Sequence, residues 1–281
     1  RSRVAGPDAD ERAERIWGQP GPRWFTADDP VWRVHADASM FVGGITALLL
    51  QALHPAAMAG VAGHSGYKSD PWGRLQRTST YIAVTTYGLI PDAEAAVAKV
   101  RDVHERVRGK DHRGRPYRAS DPRLLLWVHV AEISSFLNAY RAYGASPISD
   151  ADADTYVEQA GHAASLLGAE GVPTTVAELD AVLASFRPEL EVSPAAIETA
   201  RFVVAEPPLP GVARPGYALL VAGAIALLEP WQREALQIGV PETLTRTIGR
   251  PLGRFAAAAV RWGLEGVDDT RRRSAPPGHL N

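Results

Sequence analysis

One stretch and one histidine offer most of the chemistry in this sequence. Asp70-Pro-Trp-Gly-Arg-Leu-Gln-Arg-Thr-Ser-Thr-Tyr81 sets Arg74, Arg77 and Thr78 about one turn apart on a predicted helix. The next predicted helix carries His104 inside a stripe of valines. Val97, Val100 and Val107 make a dry wall around that imidazole, while Arg101 and Arg108 stand three residues before it and four after. This pattern suits an axial ligand to haem iron, with a neutral imidazole toward the metal, aliphatic contacts for the porphyrin and cations for the propionates. Pairing of the two arginines with Asp102 and Glu105 on an exposed face explains the periodicity equally well. Arg74, Thr78, Tyr81 or Ile82, and Thr85 share a second face with hydroxyls, a guanidinium and little apolar surface. Such a face fits a pocket for oxygen or a polar ligand, or else an ordinary arginine-rich helix surface.

The other histidines fall into two groups. His35, His112, His162 and His279 lie in polar or loop contexts, whereas His54, His64 and His129 sit in or beside apolar runs. A lone histidine on an apolar face is usually a satisfied core residue. Glu132 follows His129 on the same side of its helix, which fits a buried His–carboxylate pair as well as a catalytic one. Three familiar signatures fail. Gly63-His64-Ser65-Gly66 resembles a nucleophile elbow but has Tyr67 in place of the last glycine and no preceding strand. His104-Glu105 has Arg108 where a zinc-binding helix needs its second histidine. Asp150, Asp152 and Asp154 mimic a calcium loop, but Thr155 replaces the turn glycine and Gly161 the terminal glutamate.

The elements that position these residues are helices. An arm over 1–36, with Trp17, Trp24 and Trp32, precedes an uncharged helix over 39–53 and a kink or short helix from His54-Pro55. Asp70-Pro71 and Asp121-Pro122 each combine a capping carboxylate with a proline at the first helical position, starting helices to Tyr87 and Tyr143. The second turns Leu125, His129, Ile133, Phe136 and Tyr140 inward, and between the two lies a helix over 92–108 followed by a basic loop. Ser149, a Thr175/Glu178 capping box and Ser193-Pro194 open three more. Helices over 216–228 and 241–262 complete the set before a polar tail, 266–281. With no period-2 run and no repeat, the chain reads as one all-α domain over 37–265.

Composition excludes several function classes. Of 281 residues 46% are hydrophobic, enough for a well-buried core. The absence of cysteine rules out disulfides, thiolate metal sites, Fe–S clusters and cysteine nucleophiles. A formal charge of −2 argues against a nucleic-acid partner. The uncharged run 38–67 is interrupted by Gln51, His54 and Pro55 without flanking basic clusters, so a buried helix is expected and not a membrane span. No charged-then-apolar leader follows Arg1, giving a cytoplasmic expectation that also allows for an upstream signal already removed.

Taken together, Leu50-Gln-Ala-Leu-His-Pro55, Gly63-His-Ser65, Asp70-Pro-Trp-Gly-Arg-Leu-Gln-Arg-Thr78, Val103-His104, Gly114-Arg-Pro-Tyr117 and Asp121-Pro122 through Leu126-Trp-Val-His129 resemble the rubber oxygenase (latex clearing protein) and MpaB-like oxygenase family. The resemblance covers roughly residues 30 to 250. It implies an all-helical fold with a globin-like core that binds haem b, with His104 as proximal iron ligand and Arg74 and Thr78 on the distal side. In the rubber-cleaving branch a lysine can occupy the sixth iron position. Here that place is Arg77, which stays protonated and cannot ligate iron. The departure implies an iron that is five-coordinate, water-bound, or capped by His64. The branch's distal glutamate has no counterpart in the aliphatic region around Met58.

The expectation is therefore a haem b oxygenase or related oxidative enzyme acting on a small or apolar organic substrate with O2 or peroxide. His104 holds iron, with Arg101, Arg108, Val100, Val107, His129 and His54 around the cofactor and Arg74, Thr78, Arg77 and His64 at the reacting side. Two alternatives stand beside it. One is a non-haem metal enzyme using His54, His64 and His129 with Glu132 or Asp70. The other is a non-catalytic carrier of haem or an apolar ligand. Oligomeric state is left open.

Overall fold

A computed structural model describes residues 11, 13–64, 70–207 and 209–274, without the side chains of His64, Pro71, Trp72 and residues 265–274. The helices are α1 (Pro30–Ala36), α2 (Met40–Gln51), α3 (Pro55–His64), α4 (Pro71–Tyr87) and α5 (Ile90–Arg106). There follow α6 (Pro122–Tyr143), α7 (Asp150–Leu167), α8 (Val176–Ser185), α9 (Pro194–Ala205), α10 (Arg214–Ile225), α11 (Pro230–Ala235) and α12 (Arg250–Ser274). The fold is all-α in one domain, as the periodicity dictates.

The start signals work as their chemistry requires. Asp70 accepts the Gly73 N–H at 2.9 Å, Asp121 those of Arg123 and Leu124 at 2.9 and 3.0 Å, and Ser193 that of Ala196 at 3.1 Å. Thr175 accepts from Glu178 at 3.2 Å, but the Glu178 carboxylate reaches back to Thr174, one residue before the expected box partner. Three expectations are corrected. The basic loop after His104 is a two-stranded hairpin, β1 (Arg108–Lys110) with β2 (Pro116–Arg118), in register Arg108↔Arg118. Its turn is closed by the Asp111 carboxylate, which accepts the Arg113 and Arg115 N–H groups at 2.9 Å each, and by Gly114 at φ 78°. The last expected helix breaks into Glu242–Leu244, a π-turn over Thr245–Gly249 and α12, because Pro251 has no N–H to continue the regular ladder. Helical backbone then runs to Ser274 through much of the expected tail; residues 275–281 lie outside the described residues, as do Ser65, Gly66 and Tyr67 of the elbow-like motif.

The core is built around α6, with α2 packed along one side and α7 and α8 on others. Leu49, Leu53, Trp127, Val130, Phe136, Tyr156 and Phe186 fill the interior. Next to α2 lie α10 and α12, which cross with their backbones nearly touching: a Cβ at Gly223 would meet the Gly253 Cα at 2.6 Å. Gly223→Val should therefore push two backbones apart and cost about 1–3 kcal/mol or more in a urea titration.

No single described helix is long and apolar enough to cross a membrane. The pair α1 and α2 passes by length and composition but meets at 92°. The N-terminal arm lies against the α4–α5 turn. Ile90 donates to the Pro22 carbonyl at 3.0 Å, and Tyr87 is gripped between Trp17 and Trp32, with ring centroids 5.6 and 4.7 Å away.

Candidate functional site

The two helices that carry the sequence candidates form an antiparallel pair held away from the core helix. α4 packs on α5 and α1, and α5 on α7, whereas neither makes more than marginal backbone contact with α6.

On α5, His104 is half-buried, and its Nδ1 is shut off from solvent without a hydrogen-bond partner among the described residues. Burial holds its pKa below the ordinary value, so the ring is neutral at pH 7. Val97 is buried and Val100 and Val107 are half-buried, while Val103 is exposed. Arg101 and Arg108 are exposed, and among the described residues neither pairs with Asp102 or Glu105; Arg108 donates instead to the Glu105 carbonyl at 3.4 Å. The surface pairing that competed with a ligand-binding reading is therefore not made.

On α4, Arg74 is half-buried and Thr78 exposed. Arg77 is exposed and turned back onto Asp70 at 3.2 Å, bracing the helix start. Thr85 spends its hydroxyl on its own helix, donating to the Tyr81 carbonyl at 2.9 Å, so that donor is not available to a ligand.

The residues of the non-haem alternative do not converge. His54 lies 3.9 Å from Glu189 and packs against Trp127 and Phe186, away from α4 and α5. Asp70 is committed to its cap, and the His64 side chain lies outside the described residues. Among the described residues no three His, Asp or Glu side chains are placed to hold a metal ion.

On α6, His129 and Glu132 lie one turn apart. The expected pair between them is absent among the described residues: the His129 Nε2 is buried with no partner, and Glu132 is moved by burial alone. Desolvation takes His129 down to about 4 and Glu132 up to about 7. Burial, and after it the Glu132 charge, raises Tyr81 of α4 to about 12 and moves Tyr156 of α7 further. The Tyr156 hydroxyl lies 3.4 Å from His35 Nε2, and His35 Nδ1 is 2.9 Å from the Thr86 hydroxyl. Four helices thus meet in a chain of polar groups inside an apolar shell. Sequence reasoning missed His35, yet the signal was there: Val31, Val34 and His35 continue one inward stripe of α1.

Residues 32–262 match the family described as ER-bound oxygenase mpaB/B' and rubber oxygenase, catalytic domain. The chain belongs to this family. The matched family is one of oxygenase catalytic domains. Two uncharacterized proteins, one from Mycobacterium bovis and one from Mycobacterium tuberculosis, are each 34% identical over 91 residues. The match covers 32% of this chain and 35% of each relative, so about a third of their length is spanned. No solved structure matches the chain significantly.

Proposed function

We propose that this protein is a haem b-dependent oxygenase acting on an apolar organic substrate, with His104 as the iron ligand and the globin-like core that the resemblance implies. The observation that carries the reading is His104 itself, an imidazole kept neutral by burial, with a ring nitrogen that no group among the described residues satisfies, on a helix with only marginal backbone contact to α6. A buried unpaired imidazole costs stability unless a ligand uses it, so the residue fits the group. Haem, when bound, supplies the means of activating O2 or peroxide for attack on carbon.

The chain's own residues have separable tasks in this reading. Val97, Val100 and Val107 exclude water around the ligand and keep the imidazole uncharged. Arg101 and Arg108, free of their carboxylate neighbours, are available to anionic groups at the helix end. Arg74 and Thr78 provide donors on α4 whose bonds strengthen as negative charge develops on oxygen. Arg77, clasped to Asp70, takes no part as a ligand.

The test is an absorption spectrum with a pyridine haemochrome assay on protein from haem-supplemented cells. Wild type should show a Soret band that collapses or shifts in His104→Ala and persists in His54→Ala. Colourless wild-type protein, or an unchanged band in His104→Ala, overturns the assignment. Haem without turnover of any substrate under O2 or peroxide would favour a carrier.

A further inference from the structure

The C-terminal helix α12 buries its small residues and exposes its large ones. Its inner side is made of Gly249, just before the helix, with Gly253, Ala256 and Ala257, which let it lie close against α10. The bulky apolar side chains point the other way. Phe255 is 63% exposed and Trp262 79%, and Leu244 and Ile248 of the preceding turns are 44% and 49% exposed. Pro251, Ala258 and Ala259 between them are exposed as well. Positions 244, 248, 251, 255, 258 and 262 recur at three- and four-residue spacing, so they form one ridge along the outside of the helix. Scattered exposed apolar residues are ordinary, whereas a continuous line of them carrying two aromatic rings marks a surface that something covers.

The charge beside the ridge identifies the cover. From Leu244 to Leu264 the chain has four arginines and no aspartate or glutamate. Arg261 is held by Asp37 at 3.0 Å, while Arg246, Arg250 and Arg254 are exposed and have no ion pair among the described residues. Arg254 and Arg261 donate to the Ala142 and Tyr143 carbonyls at 3.4 and 3.2 Å, so this edge of the helix faces the end of α6. Arg250, one turn before Arg254, continues the row. Two-fold pairing with a second copy would bring such rows together with no carboxylate on either ridge to neutralise them. An anionic lipid surface satisfies both features at once. Its phosphates accept from the guanidinium forks, and the phenyl and indole rings settle at the boundary between headgroups and acyl chains.

We infer that α12 is a membrane-surface helix. Phe255 and Trp262, with Arg246, Arg250 and Arg254 along their edge, dock this protein peripherally on bilayers that contain anionic phospholipid. The helix lies in the interface and does not cross it, because its inner face stays packed on α10 and its arginines leave no apolar span. Docking of this kind is independent of whether haem is bound.

The experiment is co-sedimentation of the full chain with phosphatidylcholine vesicles, either pure or containing about 30% phosphatidylglycerol, at about 0.1 M salt. Wild type should bind the anionic vesicles at least about tenfold more tightly, and about 0.5 M salt should remove most of that preference. Phe255→Ser with Trp262→Ser should weaken binding about tenfold or more. Arg250→Gln and Arg254→Gln should each reduce the anionic preference roughly fivefold. Leu166→Ser, which removes an equally apolar exposed side chain from α7, should bind as wild type does. Trp262→Phe should still bind but lose most of the fluorescence quenching by bromine-labelled lipid, and circular dichroism establishes that each variant is folded. No sedimentation with either vesicle, equal binding to both, or undiminished binding in the serine pair overturns the inference. So does a loss in Leu166→Ser as large as in the serine pair. A lipid-free dimer in analytical ultracentrifugation that the serine pair dissociates also overturns it, because a second copy then occupies the ridge.

Discussion

Glu132→Gln should make the protein more stable at pH 8 by up to about 3 kcal/mol, and the gain should vanish on acidification. The sign follows from the direction of the shift. Glu132 titrates near 7 in the fold against an ordinary 4.5, so between those values the native state binds the extra proton. Wild-type stability therefore falls as pH rises through this window, and the full cost is present above about pH 7. Below about pH 4.5 the carboxyl is protonated in both states, and glutamine confers no advantage. His35 and His129 act in the opposite sense. Both are pushed down to about 4 by burial, so the unfolded chain takes up protons that the fold refuses as pH falls below 6.5. Urea titrations of wild type and variant at about pH 5 and pH 8 check this. A variant that is less stable than wild type at pH 8 would mean that the carboxylate has a partner worth more than its desolvation.

A second large effect is expected at Trp127. The indole is 1% exposed, packs on Phe186 with ring centroids 5.2 Å apart, and donates its N–H to the Gln51 carbonyl at 3.3 Å. Trp127→Ala should cost about 3–5 kcal/mol, combining lost burial with a cavity between α2, α6 and α8. The helical wheel puts Trp127 on the opposite side of α6 from His129 and Glu132, so it bears on those two side chains only by fixing how α6 is rotated. Trp127→Phe, which retains most of the ring, should recover more than half of the loss. A cost below about 1 kcal/mol for alanine would show that the helix is held by its other contacts.

Much of the scaffold was legible because its signals are local. Asp70-Pro71, Asp121-Pro122 and Ser193-Pro194 each bring an acceptor to free N–H groups and a ring that tolerates the first turn, and none needs distant chain to work. The hairpin at 108–118 was not legible, because its strands are three residues long and its turn is made by one carboxylate collecting two N–H groups and the Arg115 guanidinium. His104 stood out through its valine neighbours, which share its helix. The polar chain from Glu132 through Tyr156 to His35 did not, since its members are 24 and 121 residues apart and only tertiary packing makes them neighbours. The His129–Glu132 spacing permitted a pair, but two side chains on one helix face need not turn toward each other.

The sparse backbone contact of α4 and α5 with α6 also bears on how stability is spread over the molecule. These two helices are fastened to α1, α7 and the N-terminal arm, while the dense contacts of the molecule run from α2 to α6 and from α10 to α12. Local unfolding of the α4–α5 pair thus breaks only peripheral contacts and leaves the main cooperative unit standing.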